Sequence, residues 1–162
     1  MKYHYVSLLL ILQLHNYGCS QKLKYSTHLI QDGEDHFKNL RQLTFSGENA
    51  EAYFSADGKK LIFQAHDGDS LCDQIYIMDI ASGSAEMVST GNGVTTCSFF
   101  QYPDDDAIIY ASTHMSDSDC PPKPDFSMGY IWKLYPGFDI FSASKNGNNL
   151  KRLTNAPGYD AE

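Results

Sequence analysis

The apolar positions of this chain fall in short runs separated by polar turns, and one such arrangement returns along its length. Leu43 to Ala65 reads LTFSGENAEAYFSADGKKLIFQA: an LT pair, a Gly-bearing turn, a short aromatic strand, an acidic turn and an apolar run. A second copy, VSTGNGVTTCSFFQYPDDDAIIYAS, follows from Val88 with its core shifted by 47 residues, so that Asp104 answers Asp57 and Ile108-Ile109-Tyr110 answers Leu61-Ile62-Phe63. A third copy opens at Leu153-Thr154, and Ala161-Glu162 stands 111 residues after Ala50-Glu51, so the chain reads as stopping inside a repeat. Alternation and turn chemistry predict a strand end at Leu40 to Thr44 and strands at Ala50 to Ser55 and Gln74 to Ile80. They also predict a buried strand at Leu61 to Ala65 and an outer edge strand at Ala85 to Ser89. Asp57-Gly58 is expected to close a two-residue hairpin, because glycine accepts the positive φ such turns require. Ser82-Gly83 is a second hairpin tip.

Four short strands in about 45 residues is the content of one propeller blade. A four-stranded sheet that is apolar on both faces is not stable alone; stacking blades around an axis buries both, and ring closure removes the exposed ends of a linear stack. A β-sandwich is the structural alternative, but it does not require a motif recurring at a fixed interval. The expected fold class is therefore all-β, a β-propeller of four-stranded antiparallel blades, with about two blades and the start of a third present. The chain divides into a leader at 1–19, a tether at 20–39, a blade at 40–90, a blade at 91–149 with an insertion at 113–137, and the opening of a further blade at 150–162. Two units and part of a third do not close a ring of at least four blades, so an exposed apolar blade face is expected.

These residues resemble the TolB-like, WD-repeat-like β-propeller family. Its blades carry an L-T pattern, an S-P-D-G-K-x-I-x-F core and an I-Y-x-M-D strand. Here the core is Ser55-Ala56-Asp57-Gly58-Lys59-Lys60-Leu61-Ile62-Phe63, followed by Ile75-Tyr76-Ile77-Met78-Asp79; the third unit offers Leu150-Lys151-Arg152-Leu153-Thr154. Ala56 replaces the usual Pro, and the second unit keeps Pro103-Asp104 but has Asp105 where Gly is expected. The resemblance covers about residues 40–162 and implies the fold. It is weak for function, because such blades occur in the periplasmic Tol-Pal component, in propeller domains of serine peptidases and in other exported proteins. The short stretch between Cys19 and Leu40 leaves no room for the amino-terminal α/β domain of the Tol-Pal component, which argues against an orthologue of it.

Composition agrees with short strands and turns: Tyr 11 and Phe 9 against Trp 1, with Gly 12 and Pro 6 as punctuation. A formal charge of -8 leaves no broad basic surface, so nucleic acid is excluded as an expected partner. At the amino terminus, Lys2 precedes an apolar run from Val6 to Leu14. That run is far shorter than the roughly 20 residues that span a bilayer, and it fits the apolar region of a secretory signal. Gly18-Cys19-Ser20 resembles a bacterial lipoprotein cleavage site, although Asn16 and Tyr17 depart from its pattern. Acylation of Cys19 would anchor the chain to a membrane without spanning it; an ordinary cleaved signal and an uncleaved or misassigned start are the alternatives.

After Ser112 the second unit departs from the first, with THMSDSDCPPKPDFSMGYIWKLYPG at 113–137. Pro121, Pro122 and Pro124 exclude helix and sheet interior there. Tyr130, Trp132 and Tyr135 are read either as a contact loop at one face of the propeller or as a cap on the blade's own core. His66-x5-Cys72 and His114-x5-Cys120 lie in corresponding connections at the same end of consecutive blades. Two His and two Cys suffice in number for tetrahedral zinc, but this spacing is not a typical chelating pair, and metal is the minor reading. With Cys19 set aside, Cys72, Cys97 and Cys120 remain; the leading expectation for an exported chain is one disulfide, Cys72–Cys120 or Cys97–Cys120, plus one buried thiol, with all three reduced as the alternative. Asp104-Asp105-Asp106 lacks a calcium-loop pattern and reads as a solvated hairpin tip. The sequence has no G-x-S-x-G, H-E-x-x-H or Gly-rich phosphate loop, so no catalytic residue or cofactor is expected. Two functional readings stand. One is an exported, lipid-anchored binding or scaffold module for a protein or envelope polymer; the other is the propeller part of a prolyl-peptidase-like hydrolase whose catalytic domain lies beyond residue 162.

Overall fold

A computed structural model describes residues 25–68, 72–122, 124–131 and 133–161. The leader at 1–19, Cys19 and Trp132 lie outside them. A 3-10 turn at Thr27–Leu29 precedes eight strands: β1 (Glu48–Phe54), β2 (Lys60–His66), β3 (Gln74–Asp79), β4 (Ala85–Met87), β5 (Thr95–Phe100), β6 (Ala107–Ser112), β7 (Asp139–Ser144) and β8 (Lys151–Arg152). They form two four-stranded antiparallel sheets in the orders β1-β2-β3-β4 and β5-β6-β7-β8. No α-helix occurs among the described residues. The expected all-β architecture of four-stranded antiparallel units is the one observed.

Strand alternation decides which residues meet between the sheets. Ile62 faces Ile77 across β2 and β3, and Tyr110 faces Phe141 across β6 and β7. These side chains, with Ile75, Val88, Phe100, Ile108 and Ala143, make one buried cluster that joins the two sheets face to face. Ile62, Ile75 and Ile108 are fully shielded, and burial of each such side chain contributes roughly 1.5–3 kcal/mol. On the other face of the first sheet, Leu61 pairs with Met78 and Phe63 with Tyr76. Shallow grooves there are bordered by Leu43 and Thr44.

The inner strands repeat an irregularity as well as a pattern. The β1–β2 register shifts between Ala50 and Tyr53, and the β5–β6 register shifts between Thr96 and Phe99. Within these bulges Glu51 and Cys97 both have positive φ, 50° and 48°. A bulge twists its strand locally, and the residues just beyond the two bulges, Tyr53 and Phe99, bring their rings to a centroid distance of 4.3 Å between the sheets.

Three sequence expectations are corrected. The hairpin at Asp57-Gly58 has a four-residue loop, because Ser55 and Lys60 still pair: Ser55 N–H donates to Lys60 C=O at 3.0 Å. Gly58 does supply the positive φ, 67°, while its N–H donates back to Ser55 C=O at 2.9 Å. Leu40 to Thr44 forms no strand. Lys151–Arg152, assigned from sequence to the opening of a third unit, is the outer strand of the second sheet, paired with β7.

The last two corrections share one cause: the LT pair closes a sheet. Val88 and Leu153 each donate a backbone N–H at 2.8 Å, to Ile75 C=O and Ile140 C=O respectively. The hydroxyls of Ser89 and Thr154 then accept the N–H of Ile75 and Ile140, each at 2.9 Å. Among the described residues, Leu43-Thr44 has no preceding third strand to close upon.

Candidate functional site

At the end of the two sheets opposite the Asp57-Gly58 hairpin, the β2–β3 connection lies beside the β6–β7 connection. The first covers residues 67–73, the second 113–138. The longer one contains the prolines and aromatics, and its described residues are in neither strand nor helix. Its base is fastened to the chain entering β5. Thr113 N–H donates to Val94 C=O at 3.1 Å, Gly93 N–H to Ser118 C=O at 2.7 Å, and Val94 N–H to Thr113 Oγ1 at 3.0 Å. Its far side is held by Tyr135, whose hydroxyl donates to Pro122 C=O at 2.8 Å, and by Ser116, whose hydroxyl donates to Gly137 C=O at 3.0 Å.

Gly93 is required at that base. With φ at +62°, it sits where an added Cβ would lie 2.6 Å from Thr113 Oγ1 and 2.8 Å from the backbone nitrogen of His114. Only a residue without a side chain permits this approach.

The structure joins Cys72 to Cys120, one of the two pairings left open by sequence, with Cα atoms 5.5 Å apart. The bond ties the base of the insertion to the short connection of the first sheet. Cys97 takes no part in it: the residue is half-buried in the β5 bulge, with Sγ 3.3 Å from Thr96 Oγ1.

The four candidate metal ligands are not assembled as a set. Cys72 and Cys120 bond to each other, which removes both thiolates. His66 Nδ1 lies 2.5 Å from Asp73 Oδ1, and His114 Nδ1 lies 2.8 Å from Ser112 Oγ. No cluster of three or more metal-ligating side chains occurs among the described residues.

Between the insertion and the sheets lies a cleft of about 240 Å³. Gln64, Asp73, Thr95, Thr96 and Lys133 supply its polar lining. Pro121, Pro124, Phe126, Tyr130, Ile131 and Tyr135 line it from the insertion, with Phe138 and Tyr159 beside them. Tyr135 is half-buried, whereas Tyr130 is exposed and stacks on Phe126 with centroids 6.1 Å apart. Phe138 meets Tyr159 edge to face at 5.5 Å. Of the expected contact loop, then, Tyr130 and Tyr135 both line the cleft.

Sequence reasoning missed the polar groups that build this end. Gln64 Oε1 accepts from Thr96 Oγ1 at 3.0 Å and from the Cys97 N–H at 3.1 Å, while its Nε2 donates to Asp73 Oδ2 at 2.8 Å. One amide thus links the sheets and orients the carboxylate. Gln74 Nε2 donates to Gly93 C=O at 2.9 Å, and its Oε1 accepts from Ser89 Oγ at 2.7 Å. The available signal was a glutamine inside the apolar run LIFQA, since a buried amide is retained where it is hydrogen-bonded.

Ser112 and His114 superficially suggest a nucleophile and base, with Asp139 close enough to raise the histidine's proton affinity. Ser112 has no exposed surface, and Asp139 is engaged by Arg152 at 2.5 Å. His114 packs against Phe141 at a centroid distance of 4.3 Å, and burial holds its pKa below the ordinary histidine value. The cluster packs the second sheet, and a serine with no exposed surface offers no access to substrate.

Two face-packed, four-stranded antiparallel sheets, with bulges, LT closures and hairpins recurring in step, define consecutive blades of a β-propeller. The fold is TolB-like: the chain superposes on a TolB from Agrobacterium tumefaciens with a TM-score of 0.52 at 18% identity, covering 75% of this chain and 39% of that one. It superposes on TolB from Acinetobacter baumannii with a TM-score of 0.51 at 24% identity, covering 76% of this chain and 26% of that one. The likeness is one of fold, and the chain spans well under half of either protein. No protein-family model and no curated protein matches the sequence.

Proposed function

We propose that this Tol-type propeller chain acts as an exported, non-catalytic binding module, anchored through Cys19 and engaging a protein at its insertion-bearing end. The observation that carries the reading is the aromatic cleft. The repeat explains both sheets without residues 113–138, yet that segment is fastened by a disulfide and backbone bonds and encloses a lined space. Clefts lined mainly by apolar and aromatic groups with a few placed polar ones are the usual form of binding sites. The apolar run at Val6 to Leu14 and the Gly18-Cys19 step support export and anchoring. The engagement of Asp139 and the sealing of Ser112 support a non-catalytic role.

Site-specific photocrosslinking in the exporting cell tests the site. A benzoylphenylalanine at Tyr130 should capture a defined protein, and the same residue at Lys59, on the hairpin at the opposite end, should not. Capture of an envelope polymer at Tyr130 would replace the protein partner. Equal capture at both positions, or labelling of the chain by a fluorophosphonate, would overturn the reading. Incorporation of labelled palmitate that survives Cys19→Ser would overturn the anchor.

A further inference from the structure

Among the described residues the cleft is lined by one carboxylate, Asp73, and its surroundings indicate what that carboxylate is for. Asp73 is fixed in place by Gln64 Nε2 at 2.8 Å and His66 Nδ1 at 2.5 Å, with about a quarter of its side chain exposed. Phe126, Tyr130 and Tyr135 line the same cleft. An oriented carboxylate among aromatic faces favours a cation, since the ring quadrupole and the negative charge attract the same ligand. The chain already places a cation in this setting: Lys133 Nζ lies 5.0 Å from the centroid of Tyr135, and Lys133 lines the cleft. Lys133 is exposed and forms no ion pair among the described residues, so its ammonium is available to be displaced from the ring. The net charge of -8 draws cationic partners toward the molecule as a whole.

We infer that the cleft recognises a single cationic side chain, an arginine or lysine presented by a partner polypeptide, and that Lys133 occupies part of that place until the partner displaces it. This rests on the binding reading above and specifies its ligand. Ring stacking gives the guanidinium or ammonium its seat, and Asp73 supplies the opposing charge.

Titration of the full-length protein with arginine amide and with norleucine amide, followed by amide NMR shifts at Thr95 and Thr96, tests the inference. Arginine amide should bind about tenfold more tightly than the uncharged analogue. Asp73→Asn should remove that preference, and Lys133→Met, on the exposed loop, should tighten arginine amide by severalfold. The lysine variant keeps the test decisive if Asp73→Asn disturbs the Gln64 and His66 contacts. Equal binding of the two amides overturns the cation inference while leaving a binding cleft. Absence of shifts with either, together with silent crosslinking at Tyr130, overturns both.

Discussion

Asp105 Oδ2 accepts the backbone N–H of Ala56 at 2.6 Å, joining the hairpin turn of the second sheet to that of the first. Asp105 stands where the repeat has Gly58, and like that glycine it takes a left-handed backbone, with φ at 53° against 67°. Aspartate tolerates this region better than most side chains. The departure from the glycine pattern is therefore a change of task, in which some conformational ease is given up for a charge-assisted bond between blades. Asp105→Ala should lose both the bond and the tolerance, at a cost of about 2 kcal/mol. Asp105→Asn, which keeps an acceptor oxygen and the left-handed preference, should cost well under half as much. Urea denaturation of the three proteins measures the difference, and equal midpoints for the alanine and asparagine variants would show that the bond contributes nothing.

The strands were legible because burial imposes a period of two, and a repeat shows each strand twice. Phase was not legible. Leu43-Thr44 opens the sequence repeat, but Ser89 and Thr154 show that this motif caps the third strand of a sheet already built. A hydrogen bond reaching back fourteen or so residues leaves no trace in local alternation. The end carrying the cleft was foreshadowed by the irregular segment and by two cysteines at equivalent positions. Gln64 and Asp73 were not, since their partners Thr96 and His66 are brought to them by the packing of one sheet on the other and by the β2–β3 turn.

Gly93 links the fold to the cleft. Gly93→Ala would place a methyl group 2.6 Å from Thr113 Oγ1 and 2.9 Å from Asp117 C=O, on a backbone at φ +62°. The turn at Thr113 must then shift, carrying the insertion away from Val94. The expected loss is about 3 kcal/mol, combining left-handed strain with overpacking. Loss of the amide NMR signature of Thr95 and Thr96 should accompany it, whereas Gly33→Ala, with open space around it in the exposed segment before the first sheet, should leave the cleft signals unchanged.

His114 gives the second sheet an acid limit. Burial against Phe141 lowers its pKa from the ordinary value near 6.5; Asp139 opposes that shift and Arg152 adds to it. A histidine whose folded pKa is depressed binds fewer protons when folded than when unfolded. Its contribution is complete above the unfolded value and is lost as pH falls through the folded one. Melting temperature should therefore decline below about pH 6.5, and the decline should be shallower in His114→Asn. A variant with the same slope as the parent between pH 7.5 and 5 would assign the acid sensitivity to other groups.

The Cys72–Cys120 bond should govern the cleft more than the blades. It closes a loop of 48 residues between equivalent connections of the two sheets, and in the chain-entropy account such a crosslink stabilises by about 4 kcal/mol. The interface between the sheets has its own supports, among them the buried cluster around Ile62 and Tyr110 and the Gln64 bonds to Thr96 and Cys97. By contrast, apart from the disulfide, the base of the insertion is held by a few hydrogen bonds to residues 93 and 94, and Tyr135 ties it only to its own Pro122. Replacing both cysteines by serine should lower the urea midpoint. It should also open residues 113–137 to trypsin and thermolysin under conditions where the sheets still resist. Proteolysis followed by mass spectrometry reads the order of cuts: first cleavage at Lys133 or near Phe126 supports a disulfide that holds the cleft closed, and simultaneous loss of both sheets would mean that the bond holds the blades together instead.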